Sequence, residues 1–248
     1  MADGILLISD VDDTMLGDDA ALERFVSFHG SVGIPVTIVY ASGRFFESLS
    51  HDVRTTPLPV PAVVIGGVGS EIRTYPGGEP DGIWIERISQ NWSAARVRSV
   101  LEGEPGMQMQ PEADQSDYKV SAYLHDATQE QLDHLKARLE EAALETSLIY
   151  SSARDLDVLP GGVDKGTAAA FVAGRLGFGR DRVLVAGNSG NDAKLFQHGF
   201  YGIVVGNADD DLKVLAAGPR DYHSPKSHAD GVRDGIEHWI AELTPNRG

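Results

Sequence analysis

The sequence predicts an α/β fold in which helices cover both faces of a parallel sheet. Five short apolar runs, rich in β-branched residues, predict strands, because a strand buried on both faces is apolar throughout rather than at every second position. These runs lie at residues 5–9, 36–40, 62–67, 183–186 and 201–205, and helix-like stretches lie at 19–28, 165–176 and 191–198. Alternation of strands with helices is typical of this fold class.

The middle of the chain has a different pattern and predicts a small inserted α+β module. Extended or alternating segments at 83–88, 119–125 and 147–159 are separated by helical patterns at 93–101 and 129–144. Stretches rich in glycine and proline at 77–80 and 160–162 are typical of hinges. We therefore expect a core formed by residues 1–80 and 159–248, interrupted by a module over residues 81–158.

The composition excludes several classes of function. Of 248 residues, 37 are acidic and 21 basic, and the net charge of −16 repels nucleic acid and anionic lipid. The sequence has no cysteine, which excludes disulfides, thiol catalysis and cysteine-ligated zinc. The apolar runs are too short to cross a membrane, and residues 1–4 lack the basic start of a signal peptide. We expect a cytoplasmic protein that binds neither nucleic acid nor membrane.

Two aspartates, Asp10 and Asp12, directly follow the first predicted strand, in a DVDDT segment. Ligands of α/β proteins bind at the carboxyl ends of strands, and strand alternation points these two side chains to the same side. Converging carboxylates repel each other unless a cation lies between them, and oxygen ligands favour Mg²⁺. We interpret Asp10 as a nucleophile and Asp12 as a group that gives and takes a proton. An acidic turn is the alternative.

Three further polar segments lie at strand ends or helix starts. Ser42, in an ASGR segment, offers a phosphate a hydroxyl and backbone N–H groups, although in isolation ordinary turn chemistry explains it better. Lys165 opens a helix, where a cation is disfavoured, which indicates an anionic partner unless the side chain is simply solvated. Residues 187–192, GNSGND, supply oxygen ligands for a hard cation or form a capped loop. Together the segments supply what an aspartyl-phosphate mechanism requires.

The order of these motifs, DxDxT, SGR, DKG and GNSGND, resembles that of the haloacid dehalogenase superfamily of phosphohydrolases. This resemblance implies a Rossmann-like core, and the inserted module resembles the type C2B cap of that superfamily. Within it the chain is most similar to the sucrose-phosphate phosphatase family over nearly its whole length. The segments that carry this similarity are residues 68–72, 88–92, 118–121, 151–160 and 227–231.

The resemblance implies a catalytic role for each motif. Asp10 would become the phosphoaspartate, and Asp12 would protonate the leaving sugar oxygen and then activate water. Ser42 and Asn191 would hold phosphoryl oxygens, and Lys165 would neutralise charge on the phosphate and the nucleophile. These roles agree with phosphoryl transfer, which depends mainly on positioning and charge neutralisation.

The resemblance also implies a Mg²⁺ site formed by Asp10, Asp12, Asn188 and Asp192. Asp12 would bind through its backbone carbonyl, and Asp192 would support the metal or orient Lys165. Asn188 replaces an aspartate that is usual in the family, and its amide lacks one negative charge. We expect the metal to bind, but more weakly.

The inserted module is expected to select the leaving group, because the phosphate chemistry of such a core suits many substrates. Side chains that form charged hydrogen bonds suit a sugar, although salt bridges within the module are the alternative for its aspartates. Trp84 and Trp92 fit packing better than stacking on a sugar, and His223 and His228 fit local hydrogen bonds better than metal binding. The predicted substrate-binding residues are Gly43, Arg44, Glu71, Lys119, Ser151, Asp155, Asp157 and Asn191.

The family implies a disaccharide phosphate containing fructose, either sucrose 6-phosphate or mannosylfructose 6-phosphate. A broader sugar-phosphate phosphatase or a mannosyl-3-phosphoglycerate phosphatase is the second enzymatic interpretation. The non-enzymatic alternative is a sugar-phosphate-binding regulatory partner of a glycosyltransferase, which Asn188 favours and the intact Asp10, Asp12 and Lys165 oppose. A glycosyltransferase that makes the substrate is the protein partner that the resemblance suggests.

Overall fold

The computed structural model of the chain describes residues 4–243, which contain eleven strands and eight α-helices. The strands are β1 Ile5–Ser9, β2 Val36–Ala41, β3 Val63–Gly66, β4 Glu71–Thr74, β5 Gln108–Met109, β6 Val120–Tyr123, β7 Thr146–Ser151, β8 Asp155–Pro160, β9 Val183–Gly187, β10 Tyr201–Val204 and β11 Asp221–His223. The helices are α1 Asp19–His29, α2 Phe46–Thr55, α3 Gly82–Ile88, α4 Ala94–Glu102, α5 Gln129–Glu141, α6 Lys165–Arg175, α7 Asp210–Leu215 and α8 His228–Leu243. None of these helices is long and apolar enough to span a membrane.

A seven-stranded sheet in the order β11-β10-β9-β1-β2-β3-β4 forms the centre of the molecule. All of its neighbouring strands are parallel except β3 and β4, which are antiparallel. The predicted α/β class and its five core strands are confirmed, with shifts of one residue at their ends. β1 lies between β2 and β9, so the ends of these three strands bring their loops together at one edge.

Both faces of this sheet are buried, which explains why its strands are apolar throughout. In β1, Leu7 packs in a cluster with Phe25 of α1 and Ile236 of α8. Its neighbour Ile8 points to the opposite face and packs in a second cluster with Val172 of α6. Because successive side chains of a strand point to opposite faces, two covered faces require apolar residues at every position.

A second, four-stranded antiparallel sheet, in the order β5-β6-β8-β7, lies between β4 and α6 in the sequence. Helices α4 and α5 cover one face, where Val97, Leu101, Leu135 and Leu139 pack against the apolar residues of β6 and β8. The α+β character and the two helices predicted for this part of the chain are confirmed. The division into core and cap at residues 81 and 158 stays a prediction.

Two predicted secondary-structure elements are wrong. Residues 83–88 were expected to be extended but form helix α3, because the Asp81 carboxylate accepts hydrogen bonds from the first backbone N–H groups at 3.0 Å. Trp84 and Ile88 of this helix pack with the seven-stranded sheet, although they lie in the segment predicted as the inserted module. Residues 191–198 form two short 3-10 turns rather than one helix.

The longest helix, α8, was not predicted from the sequence pattern. Its glycines weaken a helical signal, since glycine costs about 1 kcal/mol in a helix. At Gly235, however, a β-carbon would lie only 2.4 Å from the Ile203 side chain of β10. The glycine therefore allows α8 to pack directly on the sheet, and this reason is visible only in the tertiary structure.

Candidate active site

Polar loops from both sheets surround one cavity of about 830 Å³. The segment after β1 contributes Asp10 and Asp12, the loop after β2 contributes Ser42, and the loop after β9 contributes Asn188 and Asn191. The start of α2 adds Glu47 and Ser48, and most of the remaining wall comes from the four-stranded sheet and its connections. The seven-stranded sheet thus places its predicted motifs together, because the parallel strands β2, β1 and β9 are adjacent and end at the same edge.

A buried group of one lysine and two aspartates lies beside this cavity. The Nζ atom of Lys165 is 2.7 Å from Oδ1 of Asp10 and 2.6 Å from Oδ1 of Asp192. It also lies 3.1 Å from Oδ1 of Asn191. The side chains of Lys165 and Asp192 are fully buried, and that of Asp10 is 7% exposed. The predicted anionic partner of Lys165 is therefore present within the chain itself.

The burial of this group sets its protonation. Burial, together with the charge of Asp192, raises the pKa of the Asp10 carboxyl to about 7, although Lys165 acts to lower it. Burial alone would lower the pKa of Lys165, but the charges of Asp10 and Asp192 outweigh it and raise that pKa. Lys165 is thus a permanent ammonium group next to a carboxyl whose charge depends on its surroundings.

Both carboxylate oxygens of Asp192 accept hydrogen bonds from groups of the chain. Its Oδ1 accepts the bond from Lys165, and its Oδ2 accepts from the backbone N–H groups of Asn188 at 3.0 Å and Ser189 at 3.2 Å. A β-carbon at Gly187 would lie 2.6 Å from that of Asp192, so the glycine makes this close approach possible. The structure places Asp192 where it orients Lys165, and its predicted support of the metal stays a prediction.

The amide of Asn188 meets oxygens of the β1 loop. The same end of that amide lies 3.3 Å from Oδ2 of Asp10, 3.3 Å from the Asp12 carbonyl oxygen and 3.1 Å from Oγ1 of Thr14. With its nitrogen at this end, the amide donates hydrogen bonds to these acceptors. With its oxygen at this end, the amide and the neighbouring oxygens form a set of oxygen ligands of the kind that hard cations prefer. The residues therefore fit Mg²⁺.

This oxygen set includes a single acidic side chain. Within residues 4–243, no group of three or more His, Cys, Asp or Glu side chains is placed to hold a metal ion. Any cation at the β1 loop would thus depend on the Asp12 carbonyl and the Asn188 amide beside the carboxylate of Asp10. Two of these three groups are neutral, so the site would offer a cation little negative charge.

The carboxylate of Asp12 has partners of its own and is 55% exposed. Its Oδ2 lies 2.9 Å from Nε of Arg44 and 3.5 Å from Oγ of Ser42. Arg44 also donates to Asp52 at 2.7 Å, so the carboxylates of Asp12 and Asp52 together fix the orientation of its guanidinium group. Asp12 therefore faces the cavity with a defined orientation, whereas Asp10 is held below it by Lys165 and by the Thr14 hydroxyl at 3.1 Å.

Charged side chains of the four-stranded sheet line the opposite wall. Lys119 is almost fully buried, with Nζ 3.2 Å from Oδ1 of Asp157 and 5.2 Å from the ring centre of Phe45. Asp155 pairs with Arg154 at 3.0 Å. Both aspartates thus form the salt bridges that the sequence analysis left open, and both still line the cavity. The other predicted binding residues on its wall are Gly43, Arg44, Ser151 and Asn191.

Glu71 is the predicted substrate-binding residue that the structure places elsewhere. Its Oε2 accepts the backbone N–H of Phe46 at 2.8 Å, and its Oε1 accepts from Nε of Arg73 at 2.7 Å. A carboxylate at this position satisfies a free N–H group and the positive end of the α2 dipole. Glu71 thus holds the start of α2 and does not line the cavity, and its predicted contact with the sugar stays a prediction.

The structure also decides the predictions for tryptophan and histidine. Trp84 is buried and donates to the Gly69 carbonyl at 3.0 Å, which confirms packing, and Trp92 donates to the Asp117 carbonyl. His223 and His228 contact the backbone carbonyls of Ala216 and Asp13, as expected.

Ten residues that line the cavity were not predicted from the sequence. They are Asp13, Phe45, Glu47, Ser48, Gln110, Ala113, Asp114, Ser152, Arg154 and Ser189. Some adjoin the recognised motifs, but residues 110–114 carry no local signal.

The sequence matches a known family over almost its whole length. The model of the sucrose-6F-phosphate phosphohydrolase family matches residues 4–240. A mannosylfructose-phosphate phosphatase of Agrobacterium fabrum is 35% identical over 238 residues, covering 94% of this chain and 96% of that protein. Sucrose-phosphatase 1 of Nicotiana tabacum is 31% identical over 257 residues, covering 98% of this chain. The chain spans 60% of that tobacco protein.

Solved structures show the same fold. The sucrose-phosphatase of Synechocystis, in complex with sucrose and phosphate, has a TM-score of 0.88 at 31% identity, covering 95% of this chain and 98% of that chain. A haloacid dehalogenase-like hydrolase of Bacillus subtilis has a TM-score of 0.64 at 18% identity, covering 95% and 92%. The chain therefore belongs to the sucrose-6F-phosphate phosphohydrolase family and is a phosphatase with the haloacid dehalogenase fold.

Proposed function

We propose that the chain is a Mg²⁺-dependent phosphatase that hydrolyses a disaccharide phosphate through a phosphoaspartate intermediate. The observation that carries this proposal is the buried group of Asp10, Lys165 and Asp192 beside a large polar cavity. A carboxylate held against an ammonium group places a nucleophile where the charge of a phosphate is neutralised. Residues 1–80 and 159–248 form the catalytic core in this proposal, and residues 81–158 form the cap.

In the first step, a carboxylate oxygen of Asp10 attacks phosphorus, and the bond between phosphorus and the sugar oxygen breaks. Lys165 balances the negative charge of Asp10 and of the phosphoryl group. The carboxyl group of Asp12 gives its proton to the leaving sugar oxygen, and Arg44 holds that carboxyl toward the cavity. Ser42 and Asn191 line the same wall and hold the phosphoryl oxygens.

In the second step, water attacks the phosphorus of the phosphoaspartate. The carboxylate of Asp12 takes a proton from this water, and the bond between phosphorus and the Asp10 oxygen breaks. Phosphate leaves, and Asp10 returns to its carboxylate form. Asp12 recovers the proton that it gave in the first step, so the cycle closes without a further acid or base.

Three groups of the chain would hold Mg²⁺: the Asp10 carboxylate, the Asp12 carbonyl oxygen and the Asn188 amide oxygen. Bound there, the ion would neutralise charge on the phosphate and on Asp10. The close approach of these groups supports the assignment, and in this proposal Asp192 orients Lys165, which its Oδ1 contacts at 2.6 Å.

The size and polarity of the cavity support a disaccharide phosphate. Its volume of about 830 Å³ falls within the common range for small-molecule sites, and its outer wall carries Lys119, Ser151, Asp155 and Asp157. The names of the relatives suggest sucrose 6-phosphate or mannosylfructose 6-phosphate as the substrate. A cytoplasmic location and a glycosyltransferase partner that makes the substrate stay predictions.

The decisive experiment measures phosphate release by the purified full chain. Sucrose 6-phosphate, mannosylfructose 6-phosphate, hexose monophosphates and mannosyl-3-phosphoglycerate are compared at fixed Mg²⁺ and again with a chelator. We expect kcat/KM to be highest for a fructose-containing disaccharide phosphate and to collapse when Mg²⁺ is removed. Equal rates on hexose monophosphates would favour the broader sugar phosphatase, and no release from any of them would favour a binding protein.

Replacing Asn188 with aspartate is expected to strengthen Mg²⁺ binding about tenfold or more. The substitution adds a negative charge beside the Asp10 carboxylate and the Asp12 carbonyl, and such a charge attracts a divalent cation by at least about 1.4 kcal/mol. Isothermal titration with Mg²⁺ alone measures this change without substrate. Asn91→Asp adds the same charge at an exposed position and is expected to leave the Mg²⁺ affinity unchanged. An unchanged affinity in Asn188→Asp would remove Asn188 from the metal site.

Replacing Lys119 with methionine is expected to raise KM for the disaccharide phosphate about tenfold or more. The change removes a buried ammonium group on the cavity wall, and a hydrogen bond to a charged group contributes about 1.5–3 kcal/mol. Steady-state kinetics on the best substrate measures the effect. Lys136→Met, on the exposed face of α5, is the control and should keep the parent KM. A parent-like KM in Lys119→Met would show that the sugar does not contact this wall.

A further inference from the structure

Two residues near the C-terminal end contact the loop that carries the proposed catalytic aspartates. Nδ2 of Asn207 donates to the Asp13 carbonyl oxygen at 2.7 Å, and Nδ1 of His228 lies 3.1 Å from the same oxygen. The backbone N–H of His228 donates to Oδ1 of Asn207 at 2.8 Å, so the two residues also hold each other. We call Asn207 and His228 the carbonyl clamp. The proposed mechanism gives neither residue a role.

The clamp contacts the loop at a residue, Asp13, whose backbone conformation is strained. Asp13 has φ 55° and His228 has φ 52°, and residues with a β-carbon adopt such positive values at a cost. At Gly17, a β-carbon would lie 2.7 Å from the His228 ring, so the loop closes tightly around the imidazole. The two residues that the His228–Asp13 contact joins thus both have unfavourable backbone conformations.

The position of this carbonyl explains what the clamp controls. Asp13 follows Asp12, whose carbonyl faces Asn188 and whose carboxylate faces Arg44. On the other side of Asp13, the Thr14 hydroxyl donates to Asp10 at 3.1 Å. Fixing the peptide group after Asp13 therefore fixes the turn that aims both proposed catalytic carboxylates. No other hydrogen bond described for Asp13 in residues 4–243 ties its carbonyl to a distant part of the chain.

We propose that Asn207 and His228 are positioning residues, which hold the turn at Asp13 so that Asp10 and Asp12 keep their catalytic orientation. The inference rests on the proposed phosphatase function. Neither residue lines the cavity, so the clamp acts through the loop rather than on the substrate. For both donors to bind one carbonyl, the imidazole must carry a hydrogen on Nδ1. The clamp therefore affects kcat and leaves substrate binding almost unchanged.

The test separates the hydrogen bond from the backbone conformation. His228→Gly removes the donor but adopts φ 52° without strain, so this variant is expected to fold at least as well as the parent. His228→Asn keeps a side-chain N–H donor near the position of Nδ1 and also tolerates positive φ. Asn207→Ala removes the second donor. Arg24→Gln is the matched control, because it disrupts a bidentate pair between α1 and Asp230 of α8, the helix that begins at His228, and Arg24 does not contact the Asp13 carbonyl.

The kinetic readout is kcat and KM on the substrate that the parent hydrolyses fastest, with thermal midpoints measured in parallel. We expect His228→Gly and Asn207→Ala to lower kcat about tenfold to a hundredfold, because small displacements of reacting groups have effects of that size. KM should change less than about twofold, and His228→Asn and Arg24→Gln should stay near the parent. A parent-like kcat in His228→Gly, or an equal loss in His228→Asn, would overturn the proposal.

A second readout does not depend on catalysis. Hydrogen exchange of the full chain should be faster at the amides of residues 13–17 in His228→Gly than in the parent, with the remaining amides unchanged. Equal exchange at these amides would overturn the clamp even in an inactive protein. If the parent hydrolyses no sugar phosphate while exchange still responds as expected, the proposed function fails and the clamp does not.

Discussion

The Asp10→Asn variant should lose turnover of its sugar phosphate by at least about a thousandfold, since removal of a nucleophile typically costs that much or more. An amide of the same shape cannot form the phosphoester. Lys165 keeps Asp192 as its partner at 2.6 Å, so the variant retains a compensated buried charge and should fold. Phosphate release at saturating substrate measures the loss. Acid quenching with labelled substrate should show a phosphorylated parent protein and an unlabelled variant.

Asp13→Asn is the matched control for this prediction. Asp13 is the third carboxylate of the same segment and is exposed, and its side chain lies at the edge of the cavity. The clamp holds its backbone carbonyl, which the substitution leaves in place. We expect its kcat to stay within a few-fold of the parent. If Asp10→Asn were as active as the parent, the covalent mechanism would be wrong, whatever the substrate.

The Lys165→Met variant should lose both activity and stability. Methionine leaves Asp10 and Asp192 buried without a countercharge, and removing one partner of a buried ion pair costs about 3–5 kcal/mol of unfolding free energy. Turnover should fall at least about a thousandfold, because the ammonium group that neutralises the phosphoryl charge is gone. Urea unfolding and phosphate release measure the two effects separately.

Two further variants make this result specific. Lys213→Met removes a partly exposed lysine that pairs with the fully exposed Asp210 at 3.7 Å, and it should change the unfolding free energy by less than about 0.5 kcal/mol. Lys165→Met combined with Asp10→Asn removes the ammonium and one carboxylate together. It should recover part of the lost stability and none of the activity. A Lys165→Met protein as stable as its parent would contradict the buried-charge argument.

The local pattern was sufficient to predict the strands of the core and the residues at their carboxyl ends. β1 ends at Ser9, and the next residue, Asp10, lies beside the cavity as expected. Such residues are predictable because a buried parallel strand has a distinct composition, and chain connectivity then places the next residues at its carboxyl end. The position of Lys165 at the start of α6 was also informative, since an unfavourable electrostatic position indicated an anionic partner.

The sequence pattern could not predict which acceptor each charged side chain would find. Glu71 lies in a segment typical of the family, yet its oxygens hold the start of α2. Asp192 is close in sequence to Asn188, but the fold directs it to Lys165. Asn207 and His228 meet Asp13 across more than 190 residues of chain. Such pairings depend on how separate elements pack, which no local window contains.

The sequence by itself determined the fold class, the order of the polar loops and the chemical types of the groups that they carry, because these follow from periodicity and chain connectivity. Only the tertiary structure decided that Asp10, Lys165 and Asp192 share one buried site and that Asp12 turns toward Arg44. It also decided that the charged side chains on the cavity wall formed by the second sheet pair with each other in salt bridges. The reason is physical: a side chain's charge, exposure and hydrogen bonds are set by neighbours that are distant in sequence and adjacent only after folding.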